Sequence, residues 1–566
     1  MKTIINGIRL LLSPRDKWCM LGITVLLSIG AVMEIVGLGL VMPIVATFSK
    51  PELFEQNKWL RIFRQLFSEA NNDQFLLICC TLVVLLYAVK NLWIFFTIHT
   101  YTKFIFSKLS QMSTRIYSGF LHCPYMIFSR HGKVGLHNII LKVEIVCHHV
   151  LIPSMTIFVD MLSVIFICAI LAITIPWIVL GCTVIFTAGS ACIFFPLRKI
   201  TLRTGEKLNS SGDKLNKVTL YSLEDIKTLK ILGAESAFTA QFEKIRNEKS
   251  RCNAISYTIG QIPRLALETV AIFSAVAVLM IMLLRGEAVG TVILSFSLLI
   301  AAMSRMLPAF SRINYCISSI RVGLPVLNDV TSALSWTPEH LGDLNKTMSF
   351  ENKIEITDLD FSYPGSNKQL ISKLNLTIKK NASLAVVGPT GGGKSTFIDL
   401  LLGLHVPDSG TVRVDGVNIF DALSSWRKLI GFVPQHIILN DASIASNVAV
   451  GIPEDEIDRK KVMDVLKIAQ MEKFVSGLQE GIDTMVGDNG MRLSGGQRQR
   501  IGIARALYRD PEIIIFDEAT SALDSETEQA LIDAVETLHG QKTIIMVAHR
   551  LSTVEKCDQR LEIRPA

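Results

Sequence analysis

The sequence predicts two kinds of structure in one chain: an all-α membrane region of six helices, followed by an α/β domain built around a phosphate-binding loop. Half of the 566 residues are hydrophobic and only 19% are charged, and long apolar runs fill the first three-fifths of the chain. From about residue 350 onward, the pattern is that of a soluble α/β domain. A glycine-rich stretch at 388–396 lies between an apolar strand pattern and a helix pattern. We therefore expect a membrane region at 1–325, a linker at 326–350 and the α/β domain at 351–566.

Six apolar segments are candidates to cross a membrane, since a spanning helix needs about 20 mostly apolar residues. No charged residue occurs between Met161 and Leu197, and this stretch is too long for one helix, so we expect a turn between two spans near Pro176. Residues 53–67 have apolar side chains at helical spacing, which predicts an amphipathic helix on the membrane surface or on the protein itself. The six predicted spans lie near residues 18–48, 75–101, 149–175, 176–197, 262–284 and 291–313.

The basic residues predict the orientation in the membrane. Residues 1–17, 103–148 and 198–253 together hold 22 Lys and Arg, whereas the loops on the opposite side hold five. Because cytoplasmic loops carry the excess of positive charge, both termini and the α/β domain should face the cytoplasm, with the chain in the cell's inner membrane. The net charge of +7 has the same explanation. We expect no nucleic-acid partner, since the sequence has no basic stripe with interleaved aromatic residues.

The stretch at 388–396 matches the phosphate-binding loop G-x-x-x-x-G-K-[ST]. Glycines allow several backbone N–H groups to point inward at phosphate oxygens, and the following helix adds its positive N-terminus. Lys394 is expected to contact the β- and γ-phosphates of a nucleotide, and Ser395 to offer a hydroxyl to Mg²⁺. The residues predicted to bind nucleotide in this loop are Gly388, Gly391, Gly393, Lys394, Ser395 and Thr396.

Two carboxylates follow a second buried-strand pattern at 513–516. Asp517 is placed to hold Mg²⁺, directly or through water, and Glu518 to orient or deprotonate the attacking water. A further motif, LSGGQ at 493–497, resembles the signature sequence of the ABC transporter family. It precedes a helix pattern, so a second helix N-terminus would meet phosphate.

The resemblance covers the whole nucleotide domain and implies roles for further residues. Tyr363 matches the aromatic residue that stacks on adenine, Gln435 the glutamine that senses Mg²⁺ and water, and His549 the switch histidine on the γ-phosphate. Ser494 and Gly496 match residues that face the ATP of a partner subunit. The resemblance therefore implies ATP and Mg²⁺ as cofactors and an active ATPase. The catalytic residues so implied are Glu518, His549 and Gln435, and the Mg²⁺ ligands are Ser395, Gln435 and Asp517.

Six spans fused to one nucleotide domain resemble an exporter-type half-transporter. The resemblance implies that such a chain cannot complete an ATP site alone, because Ser494 must reach the ATP of another subunit. We therefore expect a second subunit, and a homodimer is the simplest interpretation. Residues 121–128 and 224–230 resemble the coupling segments that touch the nucleotide domains, and 521–524 resemble the loop that contacts the opposite subunit. After Asp558 the family usually continues with more strands than remain here, so we expect a shortened C-terminal edge.

Charged residues inside the predicted spans point to the substrate, because intramembrane charges are costly and mark functional sites. Cations outnumber acids there, which suggests an anionic substrate. The alternative is structural. Lys90 would then pair with Glu34, and Arg264 with Glu268 at i,i+4 spacing, while Arg264 and Arg312 would extend to the membrane interface. The candidate substrate-binding residues are Lys90, Arg264, Arg305 and Arg312, against the acids Glu34, Asp160 and Glu268.

Short motifs extend the resemblance to one branch, the flippases for lipid-linked oligosaccharides of bacterial protein N-glycosylation. They lie at 34–43, 263–268, 305–313 and 435–447. The implied substrate is a polyprenyl-pyrophosphate glycan, whose pyrophosphate the cations would hold. Rival substrates on the same fold are lipid A-type lipids and hydrophobic drugs. A function of another class is an ATP-gated membrane regulator, which multiple-turnover ATP hydrolysis would exclude.

Overall fold

The computed structural model describes residues 14–39, 62, 65, 72–174, 176–286, 289–343, 346–366, 368–517, 537–547 and 555–564. The chain falls into two compact units, each with hydrophobic clusters of its own. The first unit comprises Met1–Cys123 and Phe128–Pro338, and the second comprises Pro124–Ile127 and Glu339–Ala566.

The described part of the first unit is helical, as its apolar runs predict. Among the residues that the structure describes, three stretches are long and apolar enough to cross a membrane: Gln74–His122, Tyr125–Ala169 and Glu235–Leu284. At 1.5 Å per residue, such helices extend well beyond a bilayer. The helices are α1 (Pro14–Gly39), α2 (Asn72–His122), α3 (Tyr125–Val146), α4 (Ile152–Thr174), α5 (Pro176–Glu224), α6 (Ile226–Leu232), α7 (Glu235–Leu284) and α8 (Val289–Leu334). The start of α3, up to Ile127, belongs to the second unit.

Two observed helices are longer than the membrane spans predicted within them. The polar segments that follow the second and fourth predicted spans continue the helices to the ends of α2 and α5. A π-helical turn, Cys147–Leu151, joins α3 to α4, so the third span is a continuation of the helix before it. The predicted amphipathic segment 53–67 lies outside the described residues, apart from residues 62 and 65.

A buried ion cluster joins three helices of the first unit. Lys142 of α3 donates hydrogen bonds of 2.8 Å to Asp213 of α5 and to Asp329 of α8. Only 9% of the Lys142 side chain is exposed, and a buried ammonium group is tolerated when carboxylates compensate its lost hydration. The helices also approach closely, since a Cβ atom at Gly205 of α5 would lie 2.8 Å from the Cα of Val322 in α8. The cluster and this close contact fix the helices against one another.

The second unit contains a five-stranded parallel sheet, in the order β6-β7-β8-β3-β9, and a four-stranded antiparallel sheet, in the order β2-β1-β4-β5. Every residue of β3, β7 and β8 is buried, as expected for parallel strands covered on both faces. The strands are β1 (Lys353–Ser362), β2 (Gln369–Lys379), β3 (Ser383–Val387), β4 (Ser409–Val414), β5 (Val417–Asn418), β6 (Ile430–Val433), β7 (Ile513–Phe516), β8 (Thr543–Val547) and β9 (Gln559–Glu562). The helices of this unit are α9 (Lys394–Leu401), α10 (Leu423–Lys428), α11 (Ile444–Val448), α12 (Arg459–Ile468), α13 (Glu472–Ser476) and α14 (Gly495–Leu507).

The C-terminal strand β9 is held against β3 at both of its ends. Before β9, the Asp558 carboxylate accepts hydrogen bonds from the backbone N–H and the hydroxyl of Ser383, both at 2.8 Å. After β9, the N–H of Ile563 donates to the carbonyl of Val387 at 2.9 Å. The residues directly after Asp558 therefore form a strand that pairs with β3.

The parallel sheet brings three of the sequence motifs to one edge. β3 leads into the glycine loop at 388–393, β7 ends directly before Asp517, and β8, which lies between them, ends at Val547. The carboxyl ends of parallel strands share one edge, which is the usual ligand-binding edge of an open α/β sheet. This edge is therefore the candidate site.

Candidate functional site

The glycine loop after β3 has a backbone that only glycines adopt without strain. The φ angles of Gly388, Gly391 and Gly393 are 153°, 76° and 102°, all in the region that side chains disfavour. A Cβ atom at Gly388 would also lie 2.2 Å from the carbonyl oxygen of Ile563. Gly393 is the residue before α9, so the loop ends at a helix N-terminus whose N–H groups attract phosphate.

Lys394 is held in place by the loop that it follows. Its Nζ donates to the carbonyl oxygens of Gly388 at 3.1 Å and Pro389 at 3.2 Å, and only 4% of the residue is exposed. The next two side chains differ, because Ser395 is exposed and Thr396 is buried. The loop thus presents one anchored cation and one accessible hydroxyl, the two groups expected at a nucleotide's phosphates and its metal ion.

Tyr363, the predicted adenine-stacking residue, contacts α9, the helix that follows the glycine loop. Its hydroxyl lies 3.2 Å from Oγ1 of Thr396, and its ring packs edge-to-face on Phe361 with centroids 5.3 Å apart. The structure therefore brings Tyr363 beside the phosphate-binding loop, although 31 residues separate it from Lys394.

The acidic side of the site contains Asp517 and an aspartate that the motifs do not include. Asp517 follows β7 and its N–H donates to the carbonyl of Val433 at the end of β6, at 3.0 Å. Burial, and then the negative charge of Asp517, raise the pKa of Asp399 to about 6. The phosphate-loop motif ends at Ser395, so it contains no information on Asp399. The sequence feature that could have identified Asp399 is an acidic residue inside the apolar run of α9.

The donor groups fit Mg²⁺. The carboxylate of Asp517, the hydroxyl of Ser395 and the amide of Gln435 offer the oxygen ligands that Mg²⁺ prefers, and Gln435 is an exposed residue just after β6. Asp399, whose pKa is raised by burial and then by the negative charge of Asp517, adds a second carboxyl group to a region where a divalent cation would neutralise negative charge. Within the described ranges, no group of three or more His, Cys, Asp or Glu could hold a metal ion. A magnesium ion bound here would therefore use one or two carboxylates together with nucleotide phosphates.

The LSGGQ motif forms the start of α14. The Ser494 hydroxyl accepts a hydrogen bond from the N–H of Gln497 at 3.2 Å, and the Gln497 side chain accepts one from the N–H of Ser494 at 2.8 Å. This reciprocal pair is a capping box, which fixes the direction of the helix. Ser494 is exposed and Gly496 is half-buried, so the N-terminus of α14 is accessible to an anion from outside the chain.

Three predicted features lie outside the described residues: the catalytic residues Glu518 and His549, and the loop at 521–524. The strands that precede the first two are described. Asp517, the neighbour of Glu518, lies at the end of β7, and β8 ends two residues before His549.

The predicted substrate-binding cations have different surroundings. Lys90 is buried, and its Nζ lies 5.2 Å from the centroid of the Tyr87 ring. Arg264 is exposed, and among the residues that the structure describes it forms no ion pair with Glu268. The side chains of Arg305 and Glu34 are not among those described.

Arg312 forms a pair that the sequence spacing did not suggest. Its Nη2 and Nε donate to the two carboxylate oxygens of Asp160, at 2.7 Å and 3.0 Å, and 6% of the Asp160 side chain is exposed. The two residues lie 152 positions apart, whereas the pairs considered from the sequence were others. Arg312 therefore neutralises a buried acid of α4.

Comparisons with known proteins agree with these features. A family profile described as ABC transporter matches residues 371–521. The chain is 31% identical over 463 residues to a protein named ATP-dependent lipid A-core flippase from Burkholderia thailandensis, a match that covers 80% of this chain and 76% of that relative. A protein of the same name from Shewanella oneidensis is 30% identical over 364 residues, 64% of this chain and 60% of that relative. The chain thus matches less than two thirds of the length of the Shewanella protein.

One solved structure extends the comparison to nearly the full chain. It is titled as that of a bacterial Atm1-family ABC exporter with ATP bound, and it superposes with a TM-score of 0.76 at 22% identity, covering 94% of this chain and 92% of that one. At this identity the match establishes the fold. The predicted fold class, a helical membrane region followed by an α/β P-loop domain, is confirmed. The chain belongs to the ABC transporter family and has the fold of its exporters.

Proposed function

We propose that this protein is an ATP-driven translocase that moves an anionic lipid across the inner membrane. The observation that carries the proposal is the anchored phosphate-binding loop, with Lys394 held on the carbonyls of Gly388 and Pro389. The other unit of the chain contains, among its described residues, three helical stretches long and apolar enough to cross a membrane. The orientation that we propose places both termini and the nucleotide domain in the cytoplasm, where ATP is available.

The chain's own groups account for each task in the proposed hydrolysis. Tyr363 would stack on adenine, and Lys394 would bind the β- and γ-phosphates while the glycine loop donates backbone hydrogen bonds to them. Mg²⁺, when bound by Ser395, Asp517 and Gln435, would neutralise phosphate charge. Glu518 would take a proton from the attacking water, and His549 would donate to the γ-phosphate. The acid and the histidine follow neighbouring strands, β7 and β8, which supports their cooperation.

We propose that two copies of the chain form the working unit. The accessible N-terminus of α14, capped by Ser494, would complete the ATP site of the second copy. A homodimer needs no additional gene product, and a symmetric pair forms two equal sites.

The proposed substrate class is a phosphorylated glycolipid. Relatives named lipid A-core flippases support a lipid A-type substrate, and the short motifs noted in the sequence support a polyprenyl-pyrophosphate glycan. Both carry phosphate next to a hydrophobic tail. The buried cation Lys90 and the exposed Arg264 are the residues proposed to attract that phosphate, together with Arg305. Arg312 contributes less free positive charge because Asp160 neutralises it.

Reconstitution in proteoliposomes tests the proposal. Fluorescent lipid A and a fluorescent polyprenyl-pyrophosphate oligosaccharide are each incorporated, and their movement between leaflets is followed with and without ATP. We expect ATP-dependent movement of one of them, and we expect the variant Lys394→Ala to abolish it. Movement of neither lipid by a protein that hydrolyses ATP over many turnovers would contradict the substrate class and leave drug export. Binding of ATP without turnover would instead favour the regulator.

A further inference from the structure

A buried histidine lies behind the predicted adenine-stacking residue. His405 follows shortly after the end of α9, and only 3% of it is exposed. Its ring is stacked on Phe361 with centroids 5.4 Å apart, and it packs edge-to-face on Tyr363 at 5.6 Å. The ring of Tyr125, from the segment Pro124–Ile127 that belongs to the same unit, lies on a further side at 5.8 Å. Aromatic pairs at these separations attract one another through offset and edge-to-face contacts.

The ring of Tyr363 therefore depends on two aromatic neighbours and one hydrogen bond. Phe361 and His405 contact the ring, and Thr396 contacts the hydroxyl. Phe361 belongs to the same strand end as Tyr363, so it moves with it. His405 is attached to the phosphate-loop helix through the short turn after α9. The hydroxyl bond to Thr396 and the ring contact with His405 thus both connect Tyr363 to the phosphate-loop helix, and His405 is the one of the two that contacts the ring.

The ring nitrogens of His405 make no hydrogen bond within the described residues that would account for a histidine at this buried position. Nε2 lies 3.8 Å from the Asp399 carboxylate, which is longer than a hydrogen bond. Among the residues that the structure describes, Nδ1 has no hydrogen-bond partner. Burial lowers the pKa of His405, so the ring is neutral at neutral pH and acts through its aromatic faces and edge. A phenyl ring would offer the same contacts without a buried polar atom.

We propose that His405 is a positioning residue that holds the Tyr363 ring at the distance from Lys394 that an adenine nucleotide spans. The inference rests on the proposed nucleotide site. It predicts that His405 matters for ligands that have a base and not for ligands that consist of phosphate alone. A residue needed only for folding would affect both kinds of ligand equally.

The experiment compares two ligands on the full-length protein in detergent. Dissociation constants are measured for ATP with the variant Glu518→Gln as background, which prevents turnover, and for inorganic tripolyphosphate, which has no base. His405→Leu replaces the ring by a branched apolar side chain, and His405→Phe keeps a ring. We expect His405→Leu to raise the Kd for ATP by about threefold to tenfold, the range of an aromatic pair, and to leave the Kd for tripolyphosphate unchanged. His405→Phe should retain the affinity for ATP.

A double-mutant cycle with Tyr363→Leu tests the route of the effect. If His405 acts through Tyr363, the double variant should bind ATP no more weakly than Tyr363→Leu alone, because the contact is already absent. Equal weakening of ATP and tripolyphosphate binding would overturn the inference, as would additive effects in the cycle or an unchanged Kd for ATP in His405→Leu. A protein without any of these substitutions that fails to bind ATP would overturn the proposed nucleotide site itself. These two failures are thus distinguishable.

Discussion

Individual residues of the nucleotide site are positioned by contacts close to them in sequence. Lys394 is fixed by carbonyls five and six residues before it, and Ser494 by a glutamine three residues after it. Such local contacts depend on spacing alone, which is why these residues could be predicted from motifs. The pair Arg312–Asp160 and the contact of His405 with Tyr363 join distant parts of the chain. Neither has a local pattern, and neither was predicted.

The proposed base, Glu518, is tested by an isosteric change. The variant Glu518→Gln keeps the shape of the side chain but cannot accept a proton, so we expect ATP binding to persist and turnover to fall by at least about 100-fold, the usual contribution of general-base catalysis. Steady-state phosphate release and nucleotide binding by the same preparation measure the two effects. Turnover within a few fold of the unaltered protein would show that another group takes the proton.

The pair of Arg312 with Asp160 predicts different results for single and double substitution. Arg312→Ala removes the guanidinium that neutralises a buried carboxylate, so we expect it to cost about 3 kcal/mol of stability. The double variant Arg312→Gln with Asp160→Asn removes both charges and should cost clearly less. Thermal unfolding in detergent compares the two. If the double variant proves no more stable than Arg312→Ala, the pair is not coupled in the membrane region, and a role of Arg312 toward the substrate gains weight.

At the scale of elements, β9 shows how little chain is needed to close the parallel sheet. Four residues pair with β3, and bonds at both ends hold them. The sequence alone predicted a shortened edge after Asp558 and did not predict the strand Gln559–Glu562 that pairs there. It could not show that Ser383 and Asp558 meet, because these residues lie 175 positions apart. The strands β3, β7 and β8 were easier to predict, because their uninterrupted apolar runs are typical of buried parallel strands.

The hydrogen bonds between Asp558 and Ser383 predict that the pairing of β9 with β3 weakens in acid. Hydrogen bonds from Ser383, and then the nearby His539, lower the pKa of Asp558. A group whose pKa is lowered in the folded state contributes stability above its unfolded pKa of about 3.9 and loses it as the pH falls through the folded value. We expect Asp558→Asn to cost about 1 kcal/mol at pH 7 and to remove this part of the acid sensitivity. Hydrogen–deuterium exchange of residues 383–387 measures the opening, with Glu562→Gln as a control near the far end of β9.

At the scale of the whole molecule, the chain combines two units with different physical requirements. The helices of the first unit follow from hydrophobic length, which composition reveals, and α2 and α5 continue past their apolar segments. Only the part of a helix inside the bilayer must be apolar, and the part outside it can be polar. The apolar pattern of the sequence therefore ends before the helix ends. The arrangement of the second unit follows from motif order.

The proposed dimer predicts complementation between two inactive variants. Lys394→Ala damages the loop that binds ATP, and Ser494→Ala damages the surface that meets ATP from the second copy. If each site uses both subunits, a mixed dimer contains one doubly damaged site and one intact site. With equal co-expression and random pairing, half of the dimers are mixed and each has one intact site, so about a quarter of all sites should be intact. ATPase activity of the co-purified protein, compared with each variant alone, measures this. No recovery above the single variants would contradict a site shared in this way.

The contact between Gly388 and the carbonyl of Ile563 has a consequence for biosynthesis. The phosphate-binding loop is made early in its domain, but the backbone against which it leans emerges from the ribosome about 170 residues later, at roughly 5–20 residues per second. We therefore expect a nascent chain to use ATP as a folding ligand only after the segment that contains Ile563 has emerged. Ribosomes that stop shortly after Asp558 would leave a product with every motif intact and a loop that lacks its support.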